Sequence, residues 1–283
     1  MTPLQTSEWP KQTFYWRENN TLCASIPFTW ELPKVRMVVC QKQIFDQWEK
    51  VIVGGPAVQL MPDYFSDLEF VETGQDCPGI LQRINPQATR TTTGCPNRCK
   101  FCGIGMGAIE RGGFRELEDW PDNPVLCDNN FLASSIEHFD RVIDRLKAHG
   151  WADFNQGLDA RLLTPYHARR LREIGRPIIR LALDSMALKD KWFEAYDYLR
   201  SAGFPKSLIK TYALIGFTTG PDEAWERCRF VDDTGTVVLP MWFHALDQME
   251  PNIITEDQAS LGWTDFERRR IMQWFYWHKK AVA

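Results

Sequence analysis

The sequence predicts an α/β protein in which successive strand–helix units build a parallel sheet. Short apolar runs alternate with longer amphipathic stretches from Ala88 onward. Capping residues and prolines stand at the predicted helix starts, and glycines stand at the predicted helix ends. With 44% hydrophobic residues, the 283-residue chain can also bury a sizeable core.

The number of predicted units bears on the architecture. Six strands are fewer than the eight of a complete TIM barrel, so we expect an open (βα)6 partial barrel. A doubly wound open sheet is the main alternative. We expect a small N-terminal α/β extension over residues 1–85, the barrel core over 86–247 and a C-terminal helical extension over 248–283.

The N-terminal extension is predicted to contain a strand–helix–strand unit. Residues 35–40 and 51–58 are rich in β-branched side chains, as strands are. Residues 43–49 between them are predicted to be helical. A Gly54-Gly55 pair interrupts the second run and indicates a turn.

The core follows in regular order. Its strands are predicted at residues 88–93, 124–128, 152–156, 177–183, 208–215 and 236–241. Between them, Ser134 and Glu137 predict a capping box for a helix that ends near Gly150. Further helices are predicted at 164–175, with Thr164 as N-cap and Pro165 at the first position, at 187–202, which Gly203 ends, and at 221–231. Residues 264–283 are predicted to form a last helix.

Charge and apolar patterning exclude some classes of protein. The net charge of −4 excludes a wholly basic nucleic-acid-binding surface but not a local basic patch. The first residues lack the basic and apolar regions of a signal peptide, and no apolar run has the length of a membrane span. We therefore expect a cytoplasmic protein with no membrane partner.

Three cysteines in one short loop follow the first predicted core strand. Cys95, Cys99 and Cys102 have the spacing C-x3-C-x2-C, and the other five cysteines are isolated in sequence. Three thiolates can hold three irons of a 4Fe–4S cubane and leave the fourth iron open. Structural zinc takes four ligands, and the nearest further donors, Cys127 and His138, are distant in sequence. The pattern therefore favours one iron–sulfur cluster.

The motif, with Phe101 directly before its third cysteine, resembles that of the radical SAM superfamily. The resemblance implies a 4Fe–4S cluster whose open iron binds the amine and carboxylate of S-adenosylmethionine. It also implies reductive cleavage of that cofactor to a 5′-deoxyadenosyl radical, which abstracts a hydrogen atom from a substrate carbon. A flavodoxin-like or ferredoxin-like electron donor, the partial-barrel fold and a position for Phe101 near the adenine are implied as well.

A second resemblance concerns residues 53–57, Val-Gly-Gly-Pro-Ala. This stretch is similar to the end of the cobalamin-binding domain that precedes some radical SAM barrels. A cobalt ligand is missing, because the first histidine of the chain is His138. We expect a shortened remnant of that domain and no cobalamin.

Ligands of parallel α/β folds lie at the carboxyl ends of the strands, so the residues there are the candidates for cofactor binding. The second core strand is followed by Asp128, Asn129 and Asn130. Many relatives bind the cofactor's amine at this position, and the alternative for these residues is an ordinary turn. Gln156 and Arg161 follow the third strand. Arg161 resembles an arginine of several relatives, and it is expected to clamp the cofactor's carboxylate; a surface salt bridge is the alternative.

The last three strands contribute four more candidates. Asp184 and Ser185 resemble an acid–serine pair near the ribose, and Asp184 is also a candidate acid or base; a helix N-cap is the alternative. Ile215 resembles an apolar residue that lies over the adenine. His244 is a candidate for substrate binding or proton donation, with a structural histidine as the alternative.

The reaction after hydrogen abstraction is expected to be an isomerisation or rearrangement, since the chain has one cysteine motif and no second cluster of thiols. Residues 154–161 resemble short relatives in phage-type gene sets, among which is an isomerase of amino-acid-modified thymidine in DNA. The basic and aromatic residues of the last helix suit either a nucleic acid or docking on the barrel. A non-catalytic iron–sulfur or zinc scaffold, or an electron carrier, is the alternative class.

Overall fold

A computed structural model describes residues 12–46, 48–74 and 77–277. The chain divides into two compact units, each with its own hydrophobic core. The first unit comprises the residues up to Pro86 together with 98–111 and 244–251. The second unit comprises residues 87–97, 112–243 and 252 onward.

The first unit contains a sheet in which four strands lie in chain order. The strands are β1 (Phe14–Glu18), β2 (Thr21–Ser25), β3 (Lys50–Gly54) and β4 (Val71–Thr73). β1 and β2 form an antiparallel pair, whereas β2, β3 and β4 are parallel. The α-helices of this unit are α1 (Leu32–Asp46), α2 (Pro56–Leu60) and α3 (Ile80–Ile84).

The strand predicted at residues 35–40 is wrong, because these residues lie inside α1. Leu32, Val35 and Val39 are fully buried and recur at intervals of three and four residues, so they share one face of a helix. That spacing outweighs the strand propensity of the valines. The predicted strand–helix–strand unit exists, but its first strand is β2.

The strand predicted at 51–58 ends early. β3 stops at Gly54 because Gly55 has a φ of 97°, and a Cβ there would lie 2.6 Å from the backbone oxygen of Ile26. Pro56 then begins α2. Its missing N–H breaks no hydrogen bond there, because the first N–H groups of a helix have no partner within the helix.

The second unit contains a six-stranded, wholly parallel sheet. Its strands, in spatial as well as chain order, are β5 (Ala88–Thr89), β8 (Val125–Leu126), β9 (Trp151–Phe154), β10 (Arg176–Ala182), β11 (Ile209–Ile215) and β12 (Val237–Trp242). A separate antiparallel pair, β6 (Thr92–Thr93) and β7 (Arg115–Glu116), takes up the rest of the first predicted core strand. The α/β class with parallel strands is confirmed, and the strand order lacks the reversal of a doubly wound sheet.

Four helices connect the strands from β8 to β12 as predicted: α4 (Ile136–Lys147), α5 (Pro165–Arg172), α6 (Lys189–Ser201) and α7 (Pro221–Asp233). After β12 follow α8 (Glu256–Ser260) and α9 (Asp265–Trp277). Thr164 caps α5 as predicted, and its hydroxyl accepts the N–H of His167. The predicted Ser134–Glu137 capping box is wrong, because the N-cap of α4 is Ser135, whose hydroxyl accepts the N–H of His138.

The two faces of the sheet differ. Ile179, Leu181 and Ala213 are buried in the same cluster as Trp192 of α6. The alternate positions of the same strands carry Arg180 and half-buried residues of β11, and Arg180 forms a buried ion pair with Asp153. None of the helices in the described ranges combines the length and apolar character that a membrane span requires.

We predict that two glycines after helices differ in their tolerance of alanine. Gly203 follows α6 with a φ of 86° and open space at its Cβ position, so Gly203→Ala should cost only the left-handed strain of about 1 kcal/mol. Gly175 follows α5 with a φ of 94°, and a Cβ there would also lie 2.9 Å from the carbonyl oxygen of Gly150. Gly175→Ala should therefore lower the free energy of unfolding further, as urea titration would show; equal losses would contradict this account.

Candidate functional site

Asp128, at the end of β8, holds the turn that leads into the cysteine loop. Its Oδ1 accepts the N–H of Thr91 at 2.8 Å, the hydroxyl of Thr92 at 2.7 Å, and two further hydrogen bonds from the same pair of residues. Its Oδ2 is buried and has no hydrogen-bond partner among the described residues. Only Oδ2 therefore remains to accept a hydrogen bond from a ligand.

The carboxyl group of Asp128 also has an altered acidity. Burial raises its pKa above the ordinary value, although the hydrogen bonds from Thr92 and Thr91 oppose the increase. The side chain is 2% exposed, so the ionised form is poorly solvated. A nearby cationic ligand group would restore the charged form.

Asp159 lies at the centre of a second network, which the sequence analysis did not identify. Its Oδ2 accepts the side-chain amide N–H groups of Asn97 at 2.9 Å and Asn130 at 3.3 Å. The Arg161 guanidinium donates two hydrogen bonds to the same carboxylate, from Nε to Oδ1 at 2.8 Å and from Nη2 to Oδ2 at 2.7 Å. One carboxylate thus links the cysteine loop, the end of β8 and the loop after β9.

The acidity of Asp159 follows from these bonds. Burial alone would raise its pKa, but the hydrogen bonds from Arg161 and Asn97 outweigh burial and hold the pKa below its ordinary value. Asp159 is therefore a carboxylate at neutral pH. The Asp-x-Arg spacing in the loop was the available sequence signal, because two residues so close can pair within one turn.

The network reaches the first cysteine of the motif. Cys95 Sγ accepts the backbone N–H of Asn97 at 3.4 Å and the Nδ2–H of Asn130 at 3.6 Å. Asn130 is 3% exposed, and its Oδ1 has no hydrogen-bond partner in the described parts of the chain. Two N–H groups are therefore directed at the same sulfur.

Cys99 and Cys102 belong to the first unit, where the N–H of Cys102 donates to the carbonyl oxygen of Cys99 at 3.1 Å. Gly105 packs against this turn so closely that a Cβ would lie 2.6 Å from the backbone nitrogen of Cys99. Both cysteines and Phe101 are half-buried. The tight turn brings the two cysteines of the C-x2-C half into one loop.

The cysteine thiols of the motif are the type of ligand that an iron–sulfur cluster requires. All eight cysteines are free thiols, and burial raises the pKa of Cys127 and of Cys228 to about 12, which makes those two poor ligands. The three motif cysteines are more exposed than these. Within residues 12–46, 48–74 and 77–277, no three Cys, His, Asp or Glu side chains are gathered closely enough to hold a metal ion.

The remaining predicted residues after β8 and β9 are placed as follows. Asn129 is half-buried and Gln156 is exposed. The side chain of Arg161 is 40% exposed, and its bond to Asp159 matches the salt-bridge alternative.

Asp184 follows β10 in an environment that raises its pKa to about 6. Burial is the main cause, and the positive charges of Arg227 and Arg161 oppose it. The Arg227 side chain is buried, and its Nη1 donates to the carbonyl oxygen of Asp184 at 2.9 Å. A carboxyl group with this pKa can exchange a proton near neutral pH.

Ser185 has the structural role given as its alternative, since its hydroxyl accepts the N–H of Ala187 at the start of a 3-10 helix. Ile215 is fully buried in the core of the second unit. The next residue, Gly216, has a φ of 79°, and a Cβ there would overlap the ring of Trp242. The apolar surface at this strand end therefore includes a tryptophan ring that the sequence analysis did not identify.

His244 lies in the first unit, whereas Asp184 lies in the second. Its ring packs against Trp30 with centroids 4.8 Å apart, and Trp30 stacks in turn on Phe28 at 4.5 Å. This contact matches the structural alternative for His244.

The basic run of α9 forms ion pairs within the helix. Arg268 and Arg269 pair with Asp265, and Arg270 pairs with Glu267. Arg268 and Arg270 also lie over the rings of Trp242 and Trp225. These contacts favour docking of the helix on its own unit.

Residues 278–283, which include the other basic residues of the predicted helix, lie outside the described ranges.

Comparison with protein-family models and with curated proteins finds no match.

We predict a pH-dependent stability that originates at Asp184. The folded protein binds this proton more tightly than the unfolded chain does, so the free energy of unfolding should fall as pH rises from about 4 to about 6, by on the order of 2 kcal/mol. Asp184→Asn should flatten this part of the curve, which urea unfolding at several pH values would measure.

Asp119 provides the control. The N–H of Trp120 and the side chain of Arg145 hold the pKa of Asp119 below its ordinary value, so it titrates below this pH range. Asp119→Asn should keep the wild-type slope between pH 4 and pH 6. The same slope in Asp184→Asn would show that another group is responsible.

Proposed function

We propose that this chain is a radical SAM enzyme that carries one 4Fe–4S cluster on Cys95, Cys99 and Cys102. The observation that carries the proposal is the C-x3-C-x2-C motif directly after β5 and β6, at the beginning of a sheet whose six strands run parallel in chain order. The three thiols are free, and Cys95 already accepts two N–H groups. When bound, the reduced cluster supplies the electron that cleaves S-adenosylmethionine.

The proposal assigns roles to the polar residues at the strand ends. Asp128 Oδ2 accepts a hydrogen bond from the cofactor's amine. This oxygen is buried and has no hydrogen-bond partner within the described ranges. The Arg161 guanidinium binds the cofactor's carboxylate. Asp184 contacts the ribose or moves a proton, since its pKa near 6 suits either protonation state.

A partial barrel is the architecture that we propose for the second unit. Strands in unbroken chain order, with helices packed against a face of the sheet, are what a curled, open (βα)6 sheet requires. The second face, with the buried Arg180 and the half-buried Lys210 and Tyr212, would then be its interior.

For the reaction we propose an isomerisation or rearrangement that needs a single cluster. Outside the motif, the cysteines are scattered between Cys23 and Cys228. The proposed substrate class is a modified nucleobase, which rests on the resemblance of residues 154–161. The paired arginines of α9 give this substrate no support.

We predict that Cys99→Ala abolishes formation of 5′-deoxyadenosine. The protein would be reconstituted with iron and sulfide without oxygen, reduced with dithionite and supplied with S-adenosylmethionine. Loss of one of three thiolates should remove the cluster and the product together. Cys77→Ala is the matched control, because Cys77 is also a half-buried free thiol but lies outside the motif, and it should keep wild-type product.

Two results would contradict the proposed function. Product that persists in Cys99→Ala would show that the motif is not needed. Zinc at about one per chain without sulfide would indicate a zinc scaffold, and a cluster that leaves S-adenosylmethionine intact would indicate an electron carrier.

We predict that duplex DNA containing an amino-acid-modified thymidine raises the rate of cofactor cleavage, because a bound substrate consumes the radical productively. Unmodified duplex of the same sequence is the control. If neither DNA binds or changes the rate, the nucleobase proposal is wrong, while the cleavage of S-adenosylmethionine remains a separate question.

A further inference from the structure

Asn130 is the side chain that connects the end of β8 to the sulfur of Cys95. Its Nδ2 lies 3.6 Å from Cys95 Sγ and 3.3 Å from Asp159 Oδ2, so one amide group donates to both. The residue is 3% exposed, and water therefore has little access to the amide. A buried donor held by two acceptors has a fixed direction.

Asp159 supplies the fixed point of this arrangement. Its carboxylate accepts the side chains of Asn97 and Asn130, while Arg161 holds it from the other side through two side-chain bonds and one backbone bond. Asn97 in turn donates its backbone N–H to Cys95 Sγ at 3.4 Å. Both residues that donate to the sulfur are therefore anchored on the same carboxylate.

We propose that Asp159 is a positioning residue that directs Asn130 and Asn97 at Cys95 Sγ, so that their N–H groups raise the reduction potential of the bound cluster. This inference rests on the proposed function for the identity of the cluster. An N–H donated to a ligand sulfur withdraws electron density from it and stabilises the reduced state. Asp159 does not touch the cluster in this scheme and acts only through the two asparagines.

The experiment measures the midpoint potential of the reconstituted cluster by redox titration, with electron paramagnetic resonance as the readout. Asn130→Leu removes the donor, and it leaves no donor without its acceptor, because Asn130 Oδ1 accepts no hydrogen bond among the described residues. Asp159→Asn keeps an oxygen for Arg161 but replaces the acceptor of the two asparagines. We expect both variants to shift the potential to more negative values.

The double variant tests whether the two residues act together. If Asp159 acts through Asn130, the double variant should shift the potential by less than the sum of the single shifts. Purely additive shifts would overturn the positioning role. An unchanged potential in both single variants, at wild-type iron and sulfide content, would overturn the proposal as a whole.

The chain provides two matched controls in the second unit. Asn123 is a half-buried asparagine whose Nδ2 donates to the carbonyl oxygen of Ala88 at 3.0 Å, away from the cysteines. Asp140 is a carboxylate that accepts Arg170 Nε at 2.8 Å as well as the hydroxyl of Tyr166. Asn123→Leu and Asp140→Asn should leave the potential unchanged; a shift in either of them equal to that in the test variants would indicate a general effect of destabilisation.

A second readout does not need the cluster. In the metal-free protein, the side-chain amide protons of Asn130 should exchange slowly with solvent, as nuclear magnetic resonance can measure. Asp159→Asn and Cys95→Ala should each accelerate this exchange, whereas Asp140→Asn should not. Wild-type exchange in both test variants would overturn the proposed positioning even if a cluster binds. Failure of the wild-type protein to bind iron would instead reject the proposed function and leave the exchange result valid.

Discussion

The parallel alignment of six strands in chain order is the constraint on which the candidate site depends. Parallel strands present all their carboxyl ends at one edge, so the loops after β5, β8, β9, β10, β11 and β12 leave the sheet at that edge. The cysteine loop, Asp128, Asp159 and Asp184 all follow such ends. An antiparallel order would have divided them between two edges, and the hydrogen bonds that Asp159 accepts from Asn97 and Asn130 would not exist.

Three aspartates at this edge show how their surroundings give one residue type different chemistry. Asp128 accepts four hydrogen bonds on one oxygen, yet burial keeps its pKa high. Asp159 is paired with Arg161 and stays ionised. Burial also raises the pKa of Asp184, to about 6. Burial acts on all three carboxyl groups, and only at Asp159 do the hydrogen bonds outweigh it.

Much of the second unit could be predicted from the sequence, because local signals and tertiary packing agree there. Thr164 and Pro165 start α5 as expected, and the alternating pattern of β11 matches its burial. Residues 35–40 were mispredicted because a run of valines suits a strand locally, whereas the burial of Leu32, Val35 and Val39 on one face is settled only by the sheet that they cover.

The site was predicted less completely than the fold. The strand ends indicated Asp128, Asn130, Arg161 and Asp184, but they could not show which partner each side chain would find. Asp159 was missed because its role depends on contacts with Asn97 and Asn130, which are 62 and 29 residues away in sequence. Ser185 caps a helix and His244 packs against Trp30, and both contacts match the structural alternatives for these residues. Contacts of such long range cannot be derived from spacing along one strand.

The close packing of Gly216 against Trp242 has a consequence for how this strand end can evolve. Any side chain at position 216 would occupy the space of the indole, so the two positions cannot change independently. A homologue with a larger residue at 216 would need a smaller one at 242, and the pair should covary in an alignment of divergent relatives. The apolar wall at the end of β11 would thereby be conserved in volume even where its residues differ.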